Sequence, residues 1–201
     1  MKSKVLENKK RKLDQLLDSA FELFSSQDIQ NVSISDIVKQ AGIAKGTFYL
    51  YFKDKYDLQK ALIKRESRRV FEEAYQIYLE NDIRNFEDGV IFLINQVLII
   101  LENNSIILRF IHKSLSWGVF DSELKDVLRD DSFNLVELFK QDIEKSGYHF
   151  DNPEITLFII LDMVGSACYS SIMDDYPLPF NEFKPYLLNA VRSILHEGAP
   201  K

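Results

Sequence analysis

Apolar residues recur at intervals of three and four along nearly the whole chain, the spacing of one face of an α-helix. Leu13, Leu16, Leu17, Ala20, Phe21 and Phe24 predict an amphipathic helix over about 8–26. Its exposed face begins with Lys9, Lys10, Arg11 and Lys12. Ser33-Ile34-Ser35-Asp36 reads as a capping box, in which the Ser33 hydroxyl accepts from the Asp36 amide and Asp36 reaches back. That box opens a short helix turning Ile37, Val38 and Ala41 inward. Gly42 ends it, suited to the left-handed conformation that closes helices. A third helix is expected over 44–52, and Asp54 is the expected N-cap of a fourth over 55–80.

The fourth helix carries two apolar stripes, Leu58, Ala61 and Leu62, then Phe71, Ala74, Tyr75, Tyr78 and Leu79. Between them every residue from Lys64 to Arg69 is polar, which predicts a wet waist where one rod joins two packed bodies. Two domains are therefore expected, residues 1–54 and 55–201, joined through this helix rather than by a linker. Further helices are predicted near 86–103, 105–117, 121–146, 153–173 and 181–197, broken at Gly118, Gly147-Tyr148 and Pro177-Leu178-Pro179. The fold class is all-α.

Composition adds exclusions. Seven glycines and five prolines in 201 residues leave few turns for short-stranded sandwiches or barrels. The single cysteine, Cys168, forbids an internal disulfide and fits a reducing, cytoplasmic setting. The longest nearly apolar runs, Val90 to Leu101 and Ile155 to Val164, are shorter than the ~18 residues of a membrane span, so no membrane role is expected. Met1 leads into lysines, with no apolar stretch of the kind a secretory leader needs.

The net charge of −6 conceals a split. Residues 1–69 hold 15 basic and 9 acidic side chains, whereas 70–201 hold 10 and 22. A basic N-terminal third points to a polyanion, and an acidic remainder to a different task.

The short second and third helices, packed on the first and joined through a glycine turn, make a helix-turn-helix candidate. In the third, Ala44, Phe48 and Phe52 share the inner face, leaving Lys45, Gly46, Thr47, Tyr49 and Leu50 elsewhere. Lys45 supplies charge, Gly46 admits close backbone approach, and Thr47 and Tyr49 offer hydroxyls to phosphates or base edges. Leu50 suits contact with a thymine methyl.

Residues 10–63 resemble the DNA-binding domain of the tetracycline-repressor-like (TetR) family of bacterial transcription regulators. The resemblance rests on Ala20, Phe21 and Phe24, on Ser33-Ile34-Ser35-Asp36-Ile37, and on the run from Ala41 to Phe52. Lys53-Asp54-Lys55, Asp57-Leu58 and Ala61 extend it. It implies homodimers that bind double-stranded palindromic operators, usually as repressors, and leave DNA when a small-molecule effector fills the C-terminal domain. The DNA contacts it implies fall on Ser33, Ser35, Lys45, Gly46, Thr47, Tyr49, Tyr51 and Lys55. One departure is Ala44, where the family commonly has a serine: alanine cannot cap, at a cost of about 1 kcal/mol.

No catalytic constellation is expected. His112, His149 and His196 are far apart, no phosphate loop or nucleophile elbow occurs, and neither metal nor cofactor is implied. A ligand-free DNA-binding adaptor remains the alternative to a ligand-responsive regulator, with an enzyme the remotest reading.

The last two helices are expected to build a dimer interface, anchored by Ile155, Phe158, Ile159, Met163 and Ile172. Gly165, Ser166 and Ala167 would permit close helix approach, unless all these residues serve only the monomer core. The effector is expected to be apolar or aromatic. Tyr75, Tyr78, Asn95, Gln96, Phe110, His112, Trp117, Phe133 and Tyr169 are its candidate contacts. Asn95 and Gln96 interrupt an apolar run, so each needs a partner, either another helix or a ligand. The acidic balance of residues 70–201 favours a neutral or cationic ligand over an acyl-coenzyme A.

Overall fold

The computed structural model describes the backbone of residues 2–118 and 135–200, and side chains over 7–111 and 135–200. His112, Trp117 and Phe133, three candidate effector contacts, lie outside the described side chains. The described residues are helical throughout, without strands: α1 (Lys2–Ser26), α2 (Ile34–Ala41), α3 (Lys45–Phe48), α4 (Lys55–Leu79), α5 (Phe86–Asn103), α6 (Ser105–Gly118), α7 (Leu135–Ser146), α8 (Pro153–Asp174) and α9 (Phe180–His196). They divide into two compact units, Met1–Arg65 and Glu66–Lys201.

In unit 1, α2 packs on α1 and α3. Leu16, Ala20, Ile37, Phe48, Leu58 and Leu62 form a closed core, all at 0% exposure. The local signals are realised atom by atom. The Ser33 hydroxyl accepts from the Asp36 amide at 3.1 Å, and the Asp36 carboxylate accepts from the Ser33 amide at 3.0 Å. Gly42 sits at φ 65°, in the left-handed region that a side chain would strain. Asp54 caps α4 by accepting from the Tyr56 and Asp57 amides, both at 2.9 Å. Leu58 and Leu62 belong to the unit 1 core, and the two units divide inside α4, between Arg65 and Glu66.

α3 is shorter than the 44–52 expected. Ala44 makes no side-chain cap, and after Phe48 the backbone tightens: Leu50 donates to the Thr47 carbonyl at 3.2 Å and Tyr51 to that of Phe48 at 2.9 Å. These bonds span three residues rather than four, so the α-helix gives way to turns that still reach Phe52.

In unit 2, α8 packs against α6, α7 and α9, while α5 contacts α6, α7 and α9. Glu87 near the start of α5 accepts from Arg192 of α9 at 2.7 Å and from the Tyr148 hydroxyl at 3.3 Å. The waist of α4 is not wet: Glu66 and Ser67 are 2% and 4% exposed. Glu66 lies 3.9 Å from Arg69, one of the charges that let a carboxylate stay buried. α8 is long and apolar enough, by length and composition, to cross a membrane. A continuous-run criterion misses it, because Asp162 and small polar residues interrupt an otherwise apolar helix. Its Leu157, Ile160, Val164 and Cys168 are buried.

Candidate nucleic-acid face and ligand cavity

The turn following α3 presents Tyr49 at 54% and Leu50 at 81% exposure. Phe48, fully buried, anchors that turn from beneath, with its ring edge-on to Tyr49 at 5.4 Å and tilted against Phe52 at 5.8 Å. Lys45, Gly46, Ser33 and Ser35 are exposed, and Thr47 is half-buried. The Lys45 ammonium donates to Ser35 Oγ at 3.3 Å, which joins the α2 and α3 candidates into one patch. A Cβ built at Gly46 would meet nothing within 4 Å, so the packing of unit 1 does not itself require glycine there.

Two expected DNA contacts sit differently. Lys55 directs its ammonium inward and donates to the carbonyls of Ile29, Gln30 and Val32 at 2.7, 3.1 and 2.9 Å. Three donors meet three acceptors, so this lysine closes the short 3-10 turn Ile29–Asn31 rather than reaching outward. The Tyr51 hydroxyl donates to the carbonyl of Lys9 in α1 at 3.1 Å.

Unit 2 encloses a cavity of about 280 Å³ between the latter part of α4 and helices α5 to α8. Its wall is largely aliphatic and aromatic, including Val70, Phe71, Leu93, Val97, Phe139 and Leu161. Tyr75 and Tyr78, both expected, line it with rings stacked at 5.8 Å. Burial, then the nearby Asp142 carboxylate, pushes both phenols above their ordinary value. Arg84, Asp142 and Lys145 add charge to the lining, with Lys145 and Asp142 3.7 Å apart.

The other described candidates lie off the wall. Asn95 and Gln96 are absent from it because α5 lines the cavity through Phe86, Val90, Leu93, Val97 and Leu101, and at 100° per residue Asn95 falls on the opposite side. Phe110 is buried and Tyr169 half-buried, neither against the cavity. Gly165, expected at a dimer interface, is buried within unit 2 and lines the cavity wall. Ile155 and Ile159 stand 56% and 49% exposed on α8, whereas Phe158, Met163, Ala167 and Ile172 are half-buried. Cys168 is buried, which pushes its thiol up to about 12. No cluster of three or more histidine, cysteine or carboxylate groups suited to a metal occurs among the described residues.

Residues 16–62 match the sequence profile of the bacterial regulatory proteins of the tetR family. That match covers the helix-turn-helix of unit 1 and stops short of unit 2. Among curated relatives, the fatty acid metabolism regulator protein of Bacillus subtilis is 35% identical over 79 residues, 39% of this chain and 38% of that protein. The B. subtilis HTH-type transcriptional regulator YvdT is 49% identical over 51 residues, 25% of this chain and 26% of its own. The chain thus matches well under half the length of these relatives. Over the whole TetR fold, a regulator from Shewanella sp. PV-4 superposes with a TM-score of 0.69 at 20% identity, covering 94% of this chain and 99% of that one. FadR of B. subtilis, solved in complex with stearoyl-CoA, gives 0.66 at 19% identity over 90% and 98% of the two chains.

Most of the cavity wall is not legible in the sequence. Val97, Leu101, Ile160 and Val164 have the same periodicity whether they pack against side chains or border a void.

Proposed function

We propose that the protein is a DNA-binding transcriptional repressor that grips a palindromic operator as a homodimer and is released by an apolar ligand in unit 2. The observation that carries the reading is the exposed patch of Lys45, Gly46, Tyr49 and Leu50, held on a closed core within the residues that match the family. A major-groove helix reads bases with such exposed side chains, one copy per half-site. The dimer is supported by Ile155 and Ile159, large apolar residues left half-exposed or more on α8. A second copy of α8 and α9 would cover them, and two-fold symmetry matches a palindrome. A cytoplasmic location goes with this reading.

Ser67, Val70, Phe71, Tyr75 and Tyr78 of α4 line the cavity, while the first turns of the same helix belong to unit 1. A ligand that displaces these residues therefore acts on the helix that continues into the DNA-reading unit. Linkage requires operator DNA to weaken ligand binding by the same factor.

The wall favours a long acyl chain because it is mostly aliphatic, while its cations Arg84 and Lys145 are paired with Asp82 and Asp142 at 2.8 and 3.7 Å. The stearoyl-CoA complex of B. subtilis FadR adds support by similarity. The test is operator selection with purified protein, followed by release with acyl-coenzyme A esters, neutral aromatics and hydrophobic cations. Release by the esters is expected. Release by cations alone would restore the charge argument, and release by nothing would favour the ligand-free adaptor. Ile159→Glu should yield monomers by light scattering; an unchanged dimer would move the interface elsewhere.

A further inference from the structure

Unit 1 holds thirteen basic and eight acidic residues, and its first twelve residues account for the whole excess, with six basic against one acidic. Residues 13–65 carry seven of each and are neutral. Part of that remainder is already engaged. Lys55 serves three carbonyls, and Arg65 pairs with Asp18 at 2.7 Å. A polyanion facing only α2, α3 and the turn to Phe52 would meet a net charge of +1, from Asp36, Lys39 and Lys45, although phosphate neutralisation supplies most non-specific affinity for DNA.

The missing charge is tethered to the reading face. Lys9, Lys10, Arg11 and Lys12 are exposed on α1, and the carbonyl of Lys9 accepts the Tyr51 hydroxyl at 3.1 Å. A helix carbonyl has a second lone pair to give, so the bond fixes α1 without breaking its ladder. Tyr51 directly follows Tyr49 and Leu50, the most outward residues of the turn after α3. Its hydroxyl thus holds the basic turns of α1 to the segment expected to meet bases.

Building on the reading of unit 1 as a DNA-binding domain, we propose that the basic start of α1 is its main phosphate-gripping surface, positioned by Tyr51. Tyr51 is then a positioning residue rather than a DNA contact. Contacts of this kind hold register but carry no sequence information, so their loss should weaken all duplexes alike.

The experiment measures affinity by fluorescence anisotropy across a salt series, using the full chain. The probes are a short mixed-sequence duplex and a duplex carrying an operator selected with the wild-type protein. Replacing Lys9, Lys10, Arg11 and Lys12 together by glutamine should flatten the log–log salt slope by about 2–4 per chain, at roughly 0.9 per phosphate released. Both probes should weaken by the same factor. Tyr51→Phe keeps the ring and loses the hydroxyl. It should flatten the slope part-way and leave the operator preference within about twofold. Melting midpoints taken alongside check folding, and single Lys10→Gln and Lys12→Gln variants should give the same change in smaller steps. An unchanged slope in the fourfold variant overturns the proposal while leaving DNA binding intact. A collapsed operator preference in Tyr51→Phe, with the slope unchanged, makes Tyr51 a base reader and overturns its positioning role. Failure of the wild-type chain to bind either probe overturns both this proposal and the reading beneath it.

Discussion

Unit 1 and unit 2 are built from the same kind of amphipathic helix, yet they place their irregularities on opposite sides of the packing. Unit 1 closes its core around six fully buried residues and leaves Tyr49 and Leu50 outside. Unit 2 leaves about 280 Å³ unfilled inside, bounded by residues that elsewhere would complete a core. Native interiors pack to crystal-like density, so a void of that size forfeits contacts its lining could otherwise make. An apolar residue exposed on a rigid turn is suited to reading a surface. An apolar void is suited to admitting a molecule. The two units are therefore expected to answer differently to the same type of substitution.

The largest difference should come from core truncation. Phe48→Ala removes a fully buried ring that supports Tyr49 and Phe52, at a cost of about 3–5 kcal/mol. Unit 1 should melt first and DNA binding should vanish, while the fluorescence of Trp117, the single tryptophan and in unit 2, melts as in the wild type. Loss of the tryptophan transition in parallel would show that the units do not melt separately.

What could be read from the sequence follows the range of each interaction. The Ser33–Asp36 box, the Gly42 stop and the Asp54 cap bind backbone within three or four residues, so residue type and spacing specify them. The Lys55 ammonium reaches back more than twenty residues to a 3-10 turn, and no local pattern announces it. The same holds for Tyr51 and Lys9. The cavity is harder still, because periodicity marks which face of α5 is buried without stating whether the opposing volume is occupied. Asn95 shows an unused signal: at 100° per residue it falls behind the positions of α5 that line the cavity. Polar character alone was a poorer guide than angle. Glu66 repeats the lesson, since a charged residue in a polar run is nearly wholly buried.

A smaller effect separates reading from stability in unit 1. Tyr49→Ala and Lys45→Ala remove exposed side chains, so the melting midpoint should barely move. Affinity for the selected operator should fall by about 1–3 kcal/mol for a base contact. Gel shift against operator and mixed-sequence duplex distinguishes the two variants. Tyr49→Ala should lose preference, and Lys45→Ala should lose affinity with it. If both variants shift the operator as the wild type does, the reading face lies elsewhere.

Unit 2 should tolerate what unit 1 cannot. Val97→Phe adds bulk on the cavity wall, where there is room, and is expected to cost under about 1 kcal/mol. Ala20→Phe in the closed core of unit 1 should cost about 1–3 kcal/mol. The filled variant should also lose any rise in melting temperature that acyl-coenzyme A esters give the wild type. A ligand shift that survives Val97→Phe would place the binding site outside this cavity.

The smallest contrast is in pH response, and its sign differs between the units. The Asp36 carboxyl lies below its ordinary value of 3.8, first because the Ser33 side chain hydrogen-bonds to it and then because the Ser33 amide does. The unfolded chain takes up that proton more readily, so this contribution is complete above 3.8 and lost as pH falls through the lowered value. In unit 2, Tyr75 and Tyr78 lie above 10.0, chiefly through burial. Their contribution is complete below 10.0 and lost as pH rises through the raised values. Ser33→Ala should lower the melting midpoint of unit 1 at neutral pH by about 2–5 °C, as expected for a lost cap in a small domain. It should also blunt the fall in that midpoint on the acid side. Tyr75→Phe should blunt the alkaline fall of the tryptophan-reported transition instead. Circular dichroism melts of Phe48-intact variants across both pH windows provide the check. An acid response identical in Ser33→Ala and wild type would mean that the box, though formed, does not couple Asp36 to the stability of α2.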